Sequence, residues 1–295
     1  MRKIKIGTRA SRLALWQAEF VAKELKKFFP TLEIELIKIK TTGDKILDAP
    51  LAKIGGKGLF TKELELQMAA GAIDLAVHSL KDMPTELPKG FKIAAITKRA
   101  QPFDAFVSNK FSAIEELPKG AVIGTSSLRR AAQILNLYPH LRIENLRGNV
   151  DTRLKKLDAG NFDAIILAAA GLERLGYSDK VKQILTEIIP AAGQGALAIE
   201  IRADDFETAE TVKFLNDEKT FNATKIERDF LKVIGGSCQI PVGIFAEFDE
   251  NKISARAVIA SIDGKKIIRD TAENIDGATF AEKILSGGGR EILNI

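Results

Sequence analysis

The chain has 295 residues, 45% of them hydrophobic and 28% charged, with 44 basic against 39 acidic side chains, so it is a globular protein too long for one comfortable core and two or three domains are expected. No apolar run reaches the roughly 18 residues of a membrane span, and the opening Met1-Arg2-Lys3-Ile4-Lys5-Ile6-Gly7 alternates like a strand instead of forming a signal peptide; a cytoplasmic protein, not bound to a membrane, is expected. A single cysteine, Cys238, excludes an internal disulfide, and with only His78 and His140 beside it a metal site of the usual zinc kind has no support.

In chain order, Ile4 to Gly7 reads as a strand, Leu13 to Phe29 as an amphipathic helix and Ile34 to Ile39 as a strand, which is a βαβ rhythm. Gly58 to Ala70 reads as a helix, Ile73 to Val77 as a buried strand and Phe91 to Ile96 as another, and the polar stretch Thr97 to Pro102 as a hinge. The rhythm then repeats, with strands at Ala121 to Gly124, Leu141 to Glu144 and Ala164 to Ala168, and helices at Leu128 to Leu137 and Val150 to Leu157. Pro190-Ala191-Ala192-Gly193-Gln194-Gly195 is small and flexible enough for a return crossing, after which Ala196 to Ile201 forms a strand added back to the first unit. A long helix from Glu218 to Val233 leads to the cysteine turn. Strands at Val242 to Phe248, Ile253 to Ile262 and Lys265 to Asp270 follow, then a helix from Thr279 to Leu285. The expectation is two α/β lobes plus a small α+β C-terminal domain, divided as 1–97 with 195–216, 98–194, and 217–295.

Open α/β sheets bind ligands at the carboxyl ends of their strands, and there this chain is basic. Arg9 and Ser11 follow the first strand, Lys57 lies in Gly55-Gly56-Lys57-Gly58, and Lys81 follows the strand ending at Val77. Gly124-Thr125-Ser126-Ser127-Leu128-Arg129-Arg130 and Asn145-Leu146-Arg147-Gly148-Asn149-Val150-Asp151-Thr152-Arg153 join strand to helix in the second unit. Hydroxyls, helix-start N–H groups and arginine forks together capture oxyanions. The glycine-rich phosphate-loop and dinucleotide patterns are absent, and at 6% aromatic the chain lacks the stacking residues of a nucleic-acid groove. A small polycarboxylate is the favoured ligand and nucleic acid is not expected.

Amid these cations sits one acid, Asp82, in Val77-His78-Ser79-Leu80-Lys81-Asp82-Met83-Pro84. A carboxylate there can accept N–H groups of a ligand and stabilise positive charge that develops on it. His78 reads as a packed, hydrogen-bonded histidine. Cys238, in Gly235-Gly236-Ser237-Cys238-Gln239-Ile240-Pro241, lies on a turn where its sulfur is open to a ligand.

These motifs, with Gly7-Thr8-Arg9-Ala10-Ser11, Leu15-Trp16-Gln17-Ala18, Gly58-Leu59-Phe60 and Ala192-Gly193-Gln194-Gly195-Ala196, resemble in order the porphobilinogen deaminase (hydroxymethylbilane synthase) family. The resemblance implies two lobes like those of periplasmic binding proteins, with mixed sheets. It implies a transferase that joins four porphobilinogen molecules head to tail, loses ammonia each time and releases linear hydroxymethylbilane, in tetrapyrrole, porphyrin and haem biosynthesis. It implies a dipyrromethane cofactor held by a thioether to Cys238, and Asp82 as the catalytic residue. Ser79, Lys81, Thr125, Ser127, Arg129 and Arg130 would hold the cofactor, and Arg9, Ser11, Gln17, Arg147, Arg153 and Arg174 the substrate and growing chain. Lys57 and Phe60 would belong to a mobile loop over the cleft. A monomer is expected. Arg12 stands where the family pattern leads us to expect proline, and Ser237 where it has glycine. The competing readings are a two-lobed protein that clamps a dicarboxylate without chemistry, and a nucleic-acid binder.

Overall fold

The structure, a computed structural model, describes residues 3–45, 58–235, 240–249 and 252–295. The chain forms β1 (Lys3–Arg9), β2 (Glu33–Ile39), β3 (Leu75–Ser79) and β4 (Phe91–Ile96). It crosses over to β5 (Asp104–Val107), β6 (Val122–Gly124), β7 (Arg142–Glu144), β8 (Ala164–Ala168) and β9 (Gln183–Leu185). It then returns to β10 (Leu197–Arg202) and ends with β11 (Val242–Asp249), β12 (Lys252–Ala260) and β13 (Ile267–Glu273).

Two five-stranded sheets share one plan. The first runs β2-β1-β3-β10-β4 and the second β7-β6-β8-β5-β9. In each the first three strands are parallel and the fourth is antiparallel to both its neighbours. That fourth strand is the one entered directly from the other lobe: β5 follows the crossing out of the first, and β10 the crossing back. The third sheet, β11-β12-β13, is antiparallel throughout. The expected fold class is observed, two mixed α/β lobes and a small α+β unit.

Burial explains why these segments form these elements. Ile4 and Ile6 of β1 face Ala18, Val21 and Leu25 of the Arg12–Phe28 helix, all fully buried, across from Leu197, Ile199 and Ile201 of β10. Ser11 caps that helix by accepting from the Ala14 N–H at 3.3 Å, and Lys26 and Lys27 oppose the dipole in its last turn. In β8 the unbroken apolar run is covered on both faces, Ile166 by one cluster and Ile165 with Leu167 by another, as a central parallel strand requires. Phe230, Ile244, Ala257 and Phe280 form the core of the third unit. Its Glu218–Ile234 helix starts on the Asp217 cap and stops at Gly235, whose φ of 69° reverses the chain just before the segment holding Cys238.

Several boundaries move. The third strand begins at Leu75, not Ile73, and runs to Ser79, which carries His78 and Ser79 into the sheet. The helix expected from Gly58 starts at Lys62. The twelfth strand ends at Ala260 and the thirteenth spans Ile267–Glu273, because Ser261 and Asp263 close the turn between them through side-chain bonds. Strands β5 and β9, of four and three residues, and the helices Ala169–Arg174 and Phe206–Val212 are additional to the sequence reading. No helix among the described residues is long and apolar enough to cross a membrane.

Candidate functional site

Between the lobes lies a cavity of about 380 Å³. Its walls are the carboxyl ends of strands and the turns that follow: Arg9 closes β1, Ser79 closes β3, Ala168 closes β8, and Arg147 to Val150 lead from β7 into the next helix. A recess of about 60 Å³ opens beside it, sharing Arg9, Ser11, Phe60, Ser79 and Asp82 with the main cavity and adding Gln17, Thr61 and His78.

Among the described residues, six cationic side chains line the cavity, Arg9, Lys81, Arg130, Arg147, Arg153 and Arg174, against the single carboxylate of Asp82. Asp82 ends the short turn Leu80–Asp82 that follows β3 directly, so the sheet itself fixes its position. Arg9 stacks over the Phe60 ring at 4.1 Å. Arg153 donates through Nε to the Gly148 carbonyl at 2.8 Å, and Arg174 donates to the Gly195 carbonyl at 2.6 Å while lying over the Trp16 ring at 5.6 Å. Asn149 caps the Val150–Asp158 helix by accepting from the Thr152 N–H at 2.9 Å, which holds the Arg147-Gly148-Asn149 turn against the cavity.

Crowding of buried positive charge shows in the protonation equilibria. Burial, with Arg130 and Arg129 adding to it, pushes the Lys81 ammonium down to about 8 despite Asp82 and Asp104 nearby. Burial, then the charges of Arg130 and Arg147, push Arg153 down to about 10, and burial does the same to Arg174. The Nε atoms of Arg130 and Arg147 are buried with no hydrogen-bond partner among the described residues. A site so arranged is incomplete without anions, and its donor set suits a ligand carrying several carboxylates.

The structure brings together most of the residues singled out from the sequence. Arg9, Ser11, Phe60, Ser79, Lys81, Asp82, Arg130, Arg147, Arg153 and Arg174 all line the main cavity. Gln17 lines the recess and donates to the Ser79 hydroxyl at 2.7 Å. Thr125, Ser127 and Arg129 line neither chamber. Ser127 caps the Leu128–Leu137 helix, and Thr125 accepts from the Ser127 N–H at 3.2 Å. Arg129 is 5% exposed and points into the second lobe, where it donates to the Ile189 carbonyl at 2.7 Å and to Asp104 at 2.8 Å. Lys57 and Cys238 lie outside the described residues. In β11, which follows in sequence, the Ile244 N–H donates to the Pro190 carbonyl of the return crossing at 3.0 Å.

Two buried acids at this junction were not singled out from the sequence. Asp104, at the start of β5, receives Arg130 at 2.6 Å, Arg129 at 2.8 Å and the Gln194 amide at 2.8 Å. Burial alone would push this carboxyl up, but the two arginines prevail and hold it well below the usual carboxylate range. Glu227 receives Arg99 and the backbone N–H groups of Gly193 and Ala246. Nothing local marks either acid, since each acquires its partners only through long-range contacts.

The family profile described as "Porphobilinogen deaminase, dipyromethane cofactor binding domain" matches residues 4–210, and the one described as "Porphobilinogen deaminase, C-terminal domain" matches residues 221–286. The curated porphobilinogen deaminase of Thiobacillus denitrificans is 48% identical, covering 100% of this chain and 99% of that protein. That of Geotalea uraniireducens is 50% identical over 99% of this chain and 94% of its own length. Among solved structures, the methionine binding protein MetQ aligns with a TM-score of 0.48 at 14% identity, covering 74% of this chain and 92% of that one. On the profiles and the near full-length curated relatives, the chain belongs to the porphobilinogen deaminase family.

Proposed function

We propose that the protein condenses four porphobilinogen molecules head to tail, with loss of ammonia at each joining, to give the linear tetrapyrrole hydroxymethylbilane in porphyrin and haem biosynthesis. The observation that carries this reading is that, among the described residues, one carboxylate is ringed by six cations in the interlobe cavity of a chain of this family. Each pyrrole of such a product bears an acetate and a propionate, so the cationic wall is opposite in charge to the ligand. The partition into 1–97 with 195–216, 98–194, and 217–295 is part of the proposal, supported by the three separate sheets.

Dipyrromethane, joined to Cys238 by a thioether, fits the residues present, because the unpartnered Nε atoms and surplus cations require carboxylates to complete them. When bound it supplies a tethered nucleophilic pyrrole carbon on which the chain grows. Ser79, Lys81, Thr125, Ser127, Arg129 and Arg130 are assigned to cofactor assembly and binding. The three of them that line neither chamber act by shaping the helix start that presents Arg130. Arg9, Ser11, Gln17, Lys57, Phe60, Arg147, Arg153 and Arg174 are assigned to substrate and the elongating chain. Asp82 accepts pyrrole N–H groups and stabilises the cation formed as ammonia departs. The protein works as a cytoplasmic monomer.

Intact mass spectrometry tests the reading. Wild-type protein made where porphobilinogen is available is expected to carry the mass of two linked pyrroles, and Cys238→Ala to lack it. An unmodified wild-type mass, with no hydroxymethylbilane formed from porphobilinogen, would sink the enzyme reading in favour of a binding protein.

A further inference from the structure

Behind the recess lies a buried group of titratable side chains that the mechanism above does not use. The imidazole of His78 on β3 meets the carboxylate of Glu200 on β10, with Nε2 and Oε2 3.0 Å apart. Glu200 is fully buried and His78 is 7% exposed. Alternation along the two antiparallel strands, which pair His78 with Ala198 and Ala76 with Glu200, places both side chains on the sheet face covered by the Lys62–Ala69 helix. Glu65 of that helix is buried beside them, and burial together with the charge of Glu200 pushes its carboxyl up, toward the neutral form. The carboxylate that meets the imidazole is therefore that of Glu200.

A carboxylate on one ring nitrogen fixes the histidine tautomer. Nε2 carries the proton and donates it to Glu200, leaving the lone pair on Nδ1. Nδ1 has no hydrogen-bond partner among the described residues, and His78 lines the recess that it shares with Asp82, Ser79 and Gln17. His78 borders a chamber that opens on the proposed reaction site, and Nδ1 is the ring nitrogen left free to serve it, the arrangement of an acid-supported imidazole base.

We infer that His78, held by Glu200, is the base that takes up the proton released at each condensation, an inference that rests on the reaction proposed above. At each joining a bond forms between the methylene carbon of the incoming pyrrole and the free α-carbon of the acceptor pyrrole. The methylene C–N bond of the protonated aminomethyl group breaks, and ammonia leaves with the bonding electron pair. The acceptor's α C–H bond then breaks, its electrons return to the ring, and its proton passes to Nδ1. Ammonia takes that proton from the imidazolium and leaves as ammonium, so the imidazole is restored and nothing is oxidised or reduced. Asp82, engaged with pyrrole N–H groups, is spared this second duty.

The chain contains two histidines, which makes nitrogen-15 histidine labelling with a His140→Gln control a direct test. The resonances of His78 are expected to show a protonated Nε2 and an unprotonated Nδ1, and Nδ1 to respond when porphobilinogen is added. A protonated Nδ1, or one indifferent to ligand, overturns the inference. In kinetics, His78→Gln that still carries the pyrrole mass is expected to lose about 100-fold in kcat, with KM within about threefold. Porphobilinogen deuterated at its free α-carbon is expected to react more slowly than the protiated form in this variant, with a larger isotope effect than in wild type. A loaded variant with wild-type kcat, or a slow one with no enlarged isotope effect, overturns it. Should His78→Gln fail to fold or load, Glu200→Gln, which keeps the imidazole but not its carboxylate, is expected to drop kcat about tenfold and to shift the histidine resonances; unchanged resonances and rate overturn the inference. A wild-type protein inert toward porphobilinogen would remove the underlying reaction, whereas an active wild type with unaffected variants removes only the role of His78.

Discussion

Glu227 grips Arg99 through both terminal guanidinium nitrogens, at 2.7 and 3.1 Å, while fully buried. Arg99 lies on the outward crossing between the lobes, and the same carboxylate accepts the N–H of Gly193, on the return crossing, at 2.6 Å. The helix of the third unit therefore fastens both connections at once. Glu227→Gln keeps the shape but strands a buried guanidinium. We expect a stability loss of about 3–5 kcal/mol, read as a lower urea midpoint. A midpoint unchanged from wild type would show that the crossings are held by something else.

Asp104 neutralises Arg129 and Arg130 together, so Asp104→Asn leaves two buried cations without their acid and should cost at least about 3 kcal/mol. Because the folded pKa lies below the unfolded value, the unfolded chain binds the extra proton on acidification. The stability Asp104 contributes is complete above the ordinary carboxylate range and is lost as pH falls below about 4. Urea unfolding of wild type and variant at neutral and acid pH should converge as the pH drops. Parallel curves at all pH values would contradict the pairing.

Lys81 provides a second pH signature. With the folded value at about 8 and the ordinary one at 10.5, stability from this group rises with pH across that window, since only the unfolded chain stays protonated there. A carboxylate brought against the amine favours its charged form. Porphobilinogen binding to Cys238→Ala should therefore take up protons just above pH 8. Calorimetry in buffers of different ionisation heat measures the uptake, and Lys81→Met should abolish it; uptake that survives the substitution would place the proton elsewhere.

Asp82→Asn retains size and part of the hydrogen bonding while removing the charge. Turnover is expected to fall by about two orders of magnitude or more, in protein whose mass still shows the pyrrole adduct. Near-normal turnover would withdraw the stabilising role.

Arg12, where the sequence pattern led us to expect proline, bridges the mouth of the cleft. From the first lobe it donates to Asp151 and to the Tyr177 hydroxyl at 2.8 Å each and to the Leu175 carbonyl at 3.1 Å, all in the second lobe. The contact is solvent-exposed, so its effect on global stability should be slight and salt-sensitive. Arg12→Ala is expected instead to widen the distribution of distances between spin labels on the two rims, measured in the Cys238→Ala background. An unaltered distribution would show that the bridge does not hold the mouth.

Much of this could be read from residues alone, for identifiable reasons. The Leu128–Leu137 helix has a serine cap and clear periodicity, and β8 is a run of apolar residues that only a doubly covered strand accommodates. The cations were legible because sheets of this kind place ligands at strand ends. Strands β5 and β9 were not, since three or four residues are too few to show a period. Arg129 and Arg130 could not be told apart as neighbours in sequence, yet the roughly 100° between successive residues of a helix sends the first into the lobe and the second to the cavity wall. His78 reads as a packed, hydrogen-bonded histidine and is one, but its acid partner lies 122 residues away, beyond the reach of any local pattern.

The return of β10 to the first sheet fixes an order of events during synthesis. β10 lies between β3 and β4, so β4 has no strand to dock against until residue 202 has left the ribosome. By then every strand of the second sheet, which ends at Leu185, has already emerged. The inserted lobe can therefore close on the nascent chain before the lobe that was begun first.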